Sequence, residues 1–590
     1  MIVKMKKVTL VVSSKHLTES LERLRGLGLL HIQHIKQPQD DSIDSLKHKT
    51  QALDKALLIL EASATKNGRL DEGKLASSLK EIIELDRNKN QGLDALEQLR
   101  QNRSWYREWG NVSYRQIDQL KSQGIFIKLY ACDKASLKRI SPEKIIHIVS
   151  RDKNRVLLAL VSTSPGESLS FEEIEIPHDD ERSLERKISH LKNKLKDIES
   201  KLKEFSGYRE SLVEHKQELL KKLEFQQIKF GAGHAQQIAY LRGFCPKGKV
   251  EEINKVAQKQ GWAIVTQEPD QLDDVPTLIK NPQWVEMIKP VFKFLGTLPG
   301  YKEYDISVWF LLFFSLFFAM LIGDAGYGFL FVGLTFLAQK KFKKAPQEPF
   351  FLMYVLSVAT IIWGALTGTW FGYEKIANLP LFNFMVIDNI DSFVSDNQLF
   401  MIHFCFIIGV IHLTIAHAIR AFRFINSLLA LAQAGWICIV WSMFFVAGKL
   451  VLNKPLPEFA LGLGALGAIL VILFSNPQKN ILKGAALSFA DLPLGLISTF
   501  SDIVSYLRLF AVGYASVAVA STFNNMALSI GFNNILVGLI SGLILFLGHA
   551  LNIVLGIMAV IVHGVRLNML EFAGHLNMQW SGIDYKPFSE

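Results

Sequence analysis

Two arginines lie within apolar stretches of this sequence, where a charged side chain is costly. Arg508 stands in the middle of residues 500–514, and Arg566 stands near the end of the next apolar stretch, in 562–571. Arginine stays protonated at physiological pH, and placing it at membrane depth costs roughly 2.5–3.5 kcal/mol on insertion scales. A chain that carries this cost twice needs a partner, a water-filled cavity or a function for each charge. The pattern indicates ion movement across a bilayer.

Other polar residues in these stretches are candidates for the same chemistry. Asp502 precedes Arg508 by six residues, which is not a same-face spacing, whereas His563 precedes Arg566 by three and shares its helix face. A structural salt bridge or a snorkelling side chain is the alternative for Arg508, and its mid-span position argues against snorkelling. Asp324 is an intramembrane acid that serves either as a local cap or turn ligand or in a polar pathway.

No cofactor or metal site is expected. Residues 243–249 nearly form a phosphate-binding loop, but Val250 replaces the Mg²⁺-binding hydroxyl and Pro246 disrupts the loop, so we interpret them as a strand-to-helix turn. Five histidines in apolar segments lack the Cys or carboxylate that would complete a metal site, and all but His563 are interpreted as hydrogen-bonded core residues. These histidines are His403, His412, His417, His549 and His563.

The composition divides the 590 residues into two halves. Residues up to about 302 are rich in Lys, Glu, Asp and Gln, whereas those from Ile306 onward are mostly apolar. We expect a soluble domain at 1–302, with no cleaved leader, and a transmembrane domain at 303–590. The net charge of +10 comes from basic residues that alternate with acidic ones in the first half, so we expect no nucleic-acid partner.

The first half is expected to be α+β. Strand-like runs alternate with helical ones, which predicts two small α/β lobes. The runs lie at 8–12, 29–34, 125–131, 145–150, 156–162, 239–244 and 262–266. Apolar residues keep heptad spacing over 184–223, with Lys and Glu between them. This spacing indicates long antiparallel coiled-coil helices joining the lobes, and the alternative is a single helix packed on one neighbour.

The second half is expected to be an all-α polytopic membrane domain. Its apolar segments lie at 308–322, 325–338, 350–372, 400–421, 428–450, 459–474, 489–523 and 535–572. Lysines follow the second segment at once, and the positive-inside rule places them in the cytoplasm. Eight crossings with both termini cytoplasmic result. The last two segments, of roughly 35 residues, exceed a hydrocarbon core of ~30 Å and are expected to tilt.

The basic residues used for this topology are Lys340, Lys341, Lys343, Lys344, Arg420, Arg423, Lys479 and Lys483.

Several short motifs point to one family. They are 299–303, 323–328, 363–372, Ser505-Tyr506-Leu507-Arg508-Leu509, His563-Gly-Val-Arg566-Leu with Glu571, and the terminal Pro587-Phe588. Together they resemble the membrane stator a subunit of V-type and A-type rotary ATPases, called subunit I in bacteria and archaea. The resemblance covers essentially the whole chain. It departs where the family's Asp-Pro-Thr reads 305–307 as Asp-Ile-Ser, and where the membrane glutamates of eukaryotic members read Leu494 and Gly556.

The resemblance implies an ion-translocating role without catalysis by this chain alone. Arg508 and Arg566 would act in ion translocation against the carboxylates of a rotor ring, and the ion is H⁺ or Na⁺. Candidate half-channel residues are Asp502, Ser505, Tyr506, His563, Glu571 and Asp324. Implied partners are the ring proteolipids, peripheral-stalk subunits, a central-stalk adaptor subunit and the lipid bilayer of a bacterial or archaeal cell membrane.

Two other classes of function are weighed against this one. A self-contained ion-coupled secondary transporter would leave the long first half unexplained, and no inverted repeat is visible. A membrane scaffold without transport would leave Arg508 and Arg566 unexplained.

Overall fold

A computed structural model describes the chain except residues 61–67, 69–71, 111–113, 134–136, 138–139, 142, 152–154, 172, 177–178, 271–272, 344, 479, 532–533 and 590. Lys344 and Lys479, used above for the topology, therefore lie outside the described residues. The chain forms two compact units. The N-terminal unit comprises Val11–Gly26 and Gln33–Arg242, and the C-terminal unit comprises Met1–Leu10, Leu27–Ile32 and Gly243–Ser589.

The strands are β1 (Met5–Ser13), β2 (His31–Gln33), β3 (Phe126–Asp133), β4 (Ile145–Arg151), β5 (Arg155–Ser162), β6 (Glu173–Ile174), β7 (Gly233–Ala235), β8 (Ile238–Pro246), β9 (Ala263–Gln267), β10 (Pro276–Thr277) and β11 (Ile583–Asp584). The helices before residue 300 are α1 (Leu17–Leu27), α2 (Asp41–Ile59), α3 (Glu72–Trp109), α4 (Tyr114–Ser122), α5 (Glu181–Ser206), α6 (Arg209–Gly231), α7 (Val250–Gln260), α8 (Gln283–Glu286) and α9 (Lys289–Leu295).

The later helices are α10 (Ser307–Ile322), α11 (Ala325–Lys341), α12 (Glu348–Leu366), α13 (Glu374–Ala377), α14 (Pro380–Asn383), α15 (Gln398–Arg423), α16 (Leu429–Leu452), α17 (Glu458–Phe474), α18 (Ile481–Ser505), α19 (Leu507–Ile530) and α20 (Ile535–Ala559). Two π-helical stretches, Val560–Gly564 and Leu567–Phe572, continue α20 into the short helix α21 (Ala573–His575).

A four-stranded sheet in the order β4-β5-β3-β6 lies in the N-terminal unit. Its pairs are antiparallel, and its three longer strands confirm the runs predicted at 125–162. Strand β5 is apolar on both faces because other side chains pack on each of them. Leu158 packs with Tyr130 on one face, and Leu157 packs with Trp109 of α3 on the other.

Long helices pair in the same unit. Arg103 and Lys89 of α3 lie 3.4 and 3.5 Å from Glu185 and Glu199 of α5, so the two helices run antiparallel. Apolar residues of the heptad run are buried between them, as at Ile188. The run is broken near Gly207, and the next helix, α6, packs on α2 instead. The predicted heptad segment is thus two helices with different neighbours.

Strands β2, β8, β1 and β9 form a sheet in that order, with β7 paired to β8. Strand β8 leads through a 3₁₀ turn into α7, which confirms the strand-to-helix interpretation of residues 243–249. A Cβ on Gly243 would lie only 2.4 Å from the carbonyl oxygen of His31. Glycine at this position therefore serves close strand packing.

Residues 307–575 are mostly helical, and each of the eight predicted apolar segments contains a helix, although α12 ends at Leu366 and the segment 489–523 is two helices that break at Tyr506. Five described spans are long and apolar enough to cross a membrane, and the last two have 49 and 41 residues. Helices α10 and α11 pass the same test only together and are bent by 117° at their break, which raises the number to six if the pair is one span. Helix α17 is apolar but has 17 residues.

The residues after α21 pack against the beginning of the chain within the C-terminal unit. Strand β11 pairs in parallel with β10. The Phe588 N–H donates to the Leu30 carbonyl at 2.9 Å, and the Phe588 side chain is 1% exposed. The Tyr585 hydroxyl donates to the Leu29 carbonyl at 2.7 Å. We call residues 577–589 the C-terminal tail.

Candidate functional site: an arginine–glutamate cluster between two cavities

Arg508 lies in the first turn of α19, immediately after a break in a 49-residue helical span. The break falls at Tyr506, which is buried and whose hydroxyl lies 2.8 Å from Nδ1 of His412. Ser505 ends α18, and its hydroxyl accepts a hydrogen bond from Nη2 of Arg508 at 3.3 Å. The buried tyrosine therefore fixes the break, while the arginine points elsewhere.

Arg566 and Glu571 come together because the helix between them is π-helical. A separation of five residues does not place two side chains on one face of an α-helix, but the wider π-helical turn with its i→i+5 hydrogen bonds does. Arg566 stands directly before the stretch Leu567–Phe572. Its Nε lies 3.4 Å from Oε1 of Glu571. Isolated π-helical turns occur frequently at functional sites.

Glu571 also faces Arg508, so one carboxylate serves two guanidinium groups. Oε1 of Glu571 lies 3.7 Å from Nη1 of Arg508, and the Glu571 side chain is only 3% exposed. The Arg508 side chain is 31% exposed, and its Nη1 has no hydrogen-bond partner among the described residues. Two guanidinium groups thus face one carboxylate, and the Arg508 side chain stays partly exposed although its Nη1 is buried.

A cavity of about 420 Å³ adjoins this cluster. Its charged and titratable lining residues are His417, Arg420, Asp502, Arg566, Glu571 and His575. Asp502, which the sequence placed off the face of Arg508, binds His575 instead, with 3.0 Å between Oδ2 and Nε2. The cavity is polar and large enough for several waters.

His417 and His575 form a contact that sequence reasoning missed. Nε2 of His417 lies 2.9 Å from Nδ1 of His575, and Nδ1 of His417 lies 2.9 Å from Oε1 of Gln433. Arg420 donates to the His575 carbonyl oxygen at 3.0 Å. His417 was interpreted as a hydrogen-bonded core residue, which these contacts confirm, but its partner is 158 residues away. Local spacing carries no signal for such a pair.

A second, smaller cavity of about 40 Å³ borders residues that follow Arg508 along α19. Leu509, Tyr514 and Gln398 are among its lining residues, as is Asp391 in the connection before α15. The Gln398 amide donates to the Tyr514 hydroxyl at 2.8 Å. Its volume suffices for about two waters. The large cavity is therefore lined by residues of α18 that precede Arg508, such as Asp502, and the small cavity by residues of α19 that follow it, such as Leu509.

Asp324 belongs to a different part of the helical region. Its carboxylate accepts four backbone N–H groups, those of Gly326, Tyr327, Phe371 and Gly372, at 2.8–3.3 Å. These are the contacts of a helix cap and turn ligand. They tie together the motifs at 323–328 and 363–372, and no described contact joins Asp324 to the arginine cluster.

His563 lies in the first π-helical stretch and is half-buried. Its Nδ1 makes no hydrogen bond to any described residue. Of the eight candidate residues named from the sequence, the structure gathers five around the cluster and the large cavity. These five are Arg508, Arg566, Asp502, Ser505 and Glu571.

Curated proteins include full-length relatives of this chain. It is 32% identical to the V-type ATP synthase subunit I of Borreliella burgdorferi over 613 aligned positions that cover all of both chains. The chain belongs to the V-type ATP synthase subunit I family.

Other relatives agree with this assignment. The chain is 30% identical to the V-type ATP synthase subunit I 1 of Treponema pallidum, again over all of both chains. It is 26% identical to the A-type ATP synthase subunit I of Methanocaldococcus jannaschii over 67% of this chain and 63% of that one. No family model matches the chain. With its five or six long apolar helices, this member of the subunit I family is a multi-pass membrane protein.

Proposed function

We propose that this chain is the membrane stator subunit of a rotary V/A-type ATP synthase, in which Arg508 faces the carboxylates of a rotor ring. The observation that carries the proposal is the cluster of Arg508, Arg566 and Glu571 with a cavity on either side. The Arg508 side chain is 31% exposed, and its described polar contacts are Nη2 to Ser505 at 3.3 Å and Nη1 to Glu571 at 3.7 Å. Both contacts are long, so Arg508 is able to receive a carboxylate from another subunit without first losing a strong bond.

The chemistry follows from charge. An opposite charge within about 4–6 Å lowers a carboxylate pKa by about 1–3 units, which corresponds to roughly 1.4–4 kcal/mol. A ring carboxylate that reaches Arg508 loses its ion there, and the fixed positive charge blocks direct ion flow between the cavities. A charge that crosses 100 mV gains ~2.3 kcal/mol. The arginine effect and the membrane potential are thus of comparable size.

The two cavities support two offset half-channels. Arg420, in the last turn of α15, lines the large cavity, and the positive-inside rule assigns that end to the cytoplasm. Asp391, in the acidic connection before α15, and Gln398, the first residue of α15, line the small cavity and would face outside. Asp502 and Glu571 are then cytoplasmic half-channel residues. Ser505, Tyr506, His563 and Asp324 stay candidates with positioning roles.

Eight crossings remain the proposed topology, with the transmembrane domain at 303–590 and both termini in the cytoplasm. The 117° bend between α10 and α11 supports an even number of crossings by this pair, because the chain reverses direction there. Lys340, Lys341 and Lys343 then lie on the cytoplasmic side. The two long final spans would tilt to form a wall against the ring.

Residues 1–302 would be the cytoplasmic arm. Their paired helices α3 with α5 and α2 with α6 support a stiff element that binds peripheral-stalk subunits. A central-stalk adaptor subunit, the ring proteolipids and bilayer lipid complete the proposed partners. No nucleotide-binding motif was found in the sequence, so ATP chemistry would belong to other subunits of the complex.

The test is ATP-driven ion uptake into vesicles that contain the reconstituted complex, with assembly checked in parallel. We expect Arg508→Ala to assemble and to abolish pumping. Arg508→Lys should be severely impaired, since a point ammonium does not replace the delocalised guanidinium. Arg566→Ala should reduce pumping severalfold without abolishing it, because Arg508 still pairs with Glu571.

Arg423→Ala is the matched control. Arg423 lies in the last turn of α15, as Arg420 does, but it contacts the Lys302 carbonyl and the Tyr304 ring rather than Glu571. This variant should pump normally. Normal pumping by an assembled Arg508→Ala complex would overturn the proposed function in favour of a scaffold, and ion transport by the purified chain without a ring would favour a secondary transporter.

A further inference from the structure

We propose that His575, held between Asp502 and His417, is a proton-transfer group of the large cavity. The inference rests on the proposed function and names a residue that carries protons in it. Three titratable side chains from three separate helices form one hydrogen-bonded chain, with 3.0 Å between Asp502 and His575 and 2.9 Å between the two imidazoles.

The hydrogen-bond directions in this chain are constrained. An ionised carboxylate only accepts, so Nε2–H of His575 donates to Asp502. Nδ1 of His575 is then free to accept Nε2–H of His417. The remaining nitrogen of His417 faces the side-chain amide of Gln433, which can donate or accept by turning over.

The same contacts hold one more proton. His575 protonated at both nitrogens donates to Asp502 and to Nε2 of His417, and His417 then donates from Nδ1 to the Gln433 oxygen. From this state, Nε2 of His575 can release its proton to a water in the cavity, which leaves neutral His575 still donating from Nδ1 to His417, and a hydronium ion in the cavity restores it. No other proton of the array moves, and no bond between heavy atoms forms or breaks.

The different burial of Asp502, His575 and His417 indicates which of them can exchange protons with the cavity. The side chains of His575 and Asp502 are 12% and 24% exposed and line the cavity. His417 is buried at 3% exposure and lies parallel to the Trp436 ring, with 6.1 Å between centroids. His575 is therefore the group that exchanges a proton with the cavity, and His417 is a positioning residue.

The array suits a proton better than an alkali cation. Hard cations bind through several oxygen ligands. The side-chain oxygens that line the cavity are those of Ser498, Thr499, Asp502 and Glu571, but Oδ2 of Asp502 already faces His575 and Ser498, and Glu571 pairs with two arginines. The charged groups around the cavity are Arg420, Arg566, Asp502 and Glu571. The two guanidinium groups disfavour a bound Na⁺, whereas a proton moves by exchange along hydrogen bonds.

The decisive variant is His575→Gln, whose amide keeps a donor toward Asp502 but does not titrate. In the reconstituted complex we expect normal assembly and a loss of at least about tenfold in the initial rate of ATP-driven acidification of vesicles, since proton transfer by a positioned group is commonly worth 10²–10⁴. His575→Ala should be equally slow. His403→Gln, on the same helix as His417 but outside the array, should pump normally.

Uptake of ²²Na⁺ separates the two ions. With a protonophore present, we expect the native complex to accumulate none. Acidification at the native rate by His575→Gln, or ²²Na⁺ accumulation that survives the protonophore, would each overturn the inference. Loss of pumping in Arg508→Ala alongside a normal His575→Gln would refute the proton array alone and leave the stator function standing.

Discussion

Two arginines lie within ion-pair distance of the same oxygen of Glu571, and this shortage of negative charge is the central property of the residue cluster. Breaking a buried ion pair by removing one partner costs about 3–5 kcal/mol, because the other charge stays buried without compensation. Here the surplus lies on Arg508, whose side chain is about one-third exposed, so solvent reduces that cost. Under the proposed function, a ring carboxylate would neutralise this surplus.

A thiol away from the membrane gives a residue-scale prediction. Burial raises the pKa of Cys245 in β8 to about 12, and the residue is 0% exposed. Since the thiolate is the reactive form, we expect Cys245 to resist a hydrophilic maleimide at pH 7 in the native protein and to react after denaturation. Lys255→Cys on the exposed face of α7 is the control and should react quickly. Equal native rates would contradict the described packing of β8.

The two arginines could be found from sequence because a charge inside an apolar run is a local signal. Their geometry could not. Arg566 and Glu571 meet through a π-helical stretch, and nothing in the spacing predicts that the α-helix widens there. His575 could not be found either, since its partners Asp502 and His417 are 73 and 158 residues away.

At the scale of elements, the bend between α10 and α11 depends on one carboxylate. Oδ1 of Asp324 accepts three backbone N–H groups, and Oδ2 accepts that of Gly372 at 2.8 Å. The Thr369 hydroxyl adds a hydrogen bond to the Gly323 carbonyl at the same break. A Cβ on Gly364 would lie 2.1 Å from the Ala325 nitrogen, which explains a glycine at the crossing.

Asp324→Asn tests whether this residue is structural. An asparagine keeps the Oδ1 acceptor but turns an amide donor toward the Gly372 N–H, which leaves that buried donor unpaired at a cost of about 1–3 kcal/mol. We expect a lower thermal unfolding temperature for the detergent-purified complex, with residual pumping in proportion to the folded fraction. A variant of native thermal stability that fails to pump would instead place Asp324 in the ion pathway.

The periodicity of apolar residues predicted where the strands and helices lie, but it did not predict which helices pack together. The alternation at 145–162 and the heptads at 184–223 gave the right strands and helices. The break at Gly207 carries no breaker signal strong enough to interrupt the heptads, so the change of partner from α3 to α2 was not predicted. Helix length does not decide the number of membrane crossings either, because α10, α11 and α17 are each too short to be counted as spans by length.

At the scale of the whole molecule, the C-terminal tail closes the C-terminal unit onto the start of the chain. Glu303 accepts the N–H groups of Gln579 and Trp580 at 2.7 and 3.3 Å, directly after the helix that carries Glu571. Strand β11 and the buried Phe588 follow. The family motifs at 299–303 and 587–588, which are distant in sequence, thus hold the same segment.

Phe588→Ala should destabilise this closure. Replacing a buried phenylalanine by alanine costs about 3–5 kcal/mol, so we expect faster exchange of the backbone amides in β11 and at Phe588 itself. Amide exchange measured on the whole chain gives the answer. The helices around Arg508 should keep their native exchange rates, and Ile583→Ala, at a half-exposed position of β11, is the control with a smaller effect. Unchanged exchange in the tail of Phe588→Ala would show that Phe588 does not hold it.

The tail also sets an order of events during synthesis. Thr277 of β10 is made 307 residues before its register partner Asp584 of β11, a delay of roughly 15–60 s at 5–20 residues per second. Leu30 is made earlier still, so its contact with Phe588 is absent while the helices that lie between them in sequence are synthesised. A copy that stops before Ile583 is therefore expected to leave β10 unpaired and Leu30 without the cover of Phe588, and surface labelling of Leu30→Cys would distinguish it from a copy that includes residues 583–588.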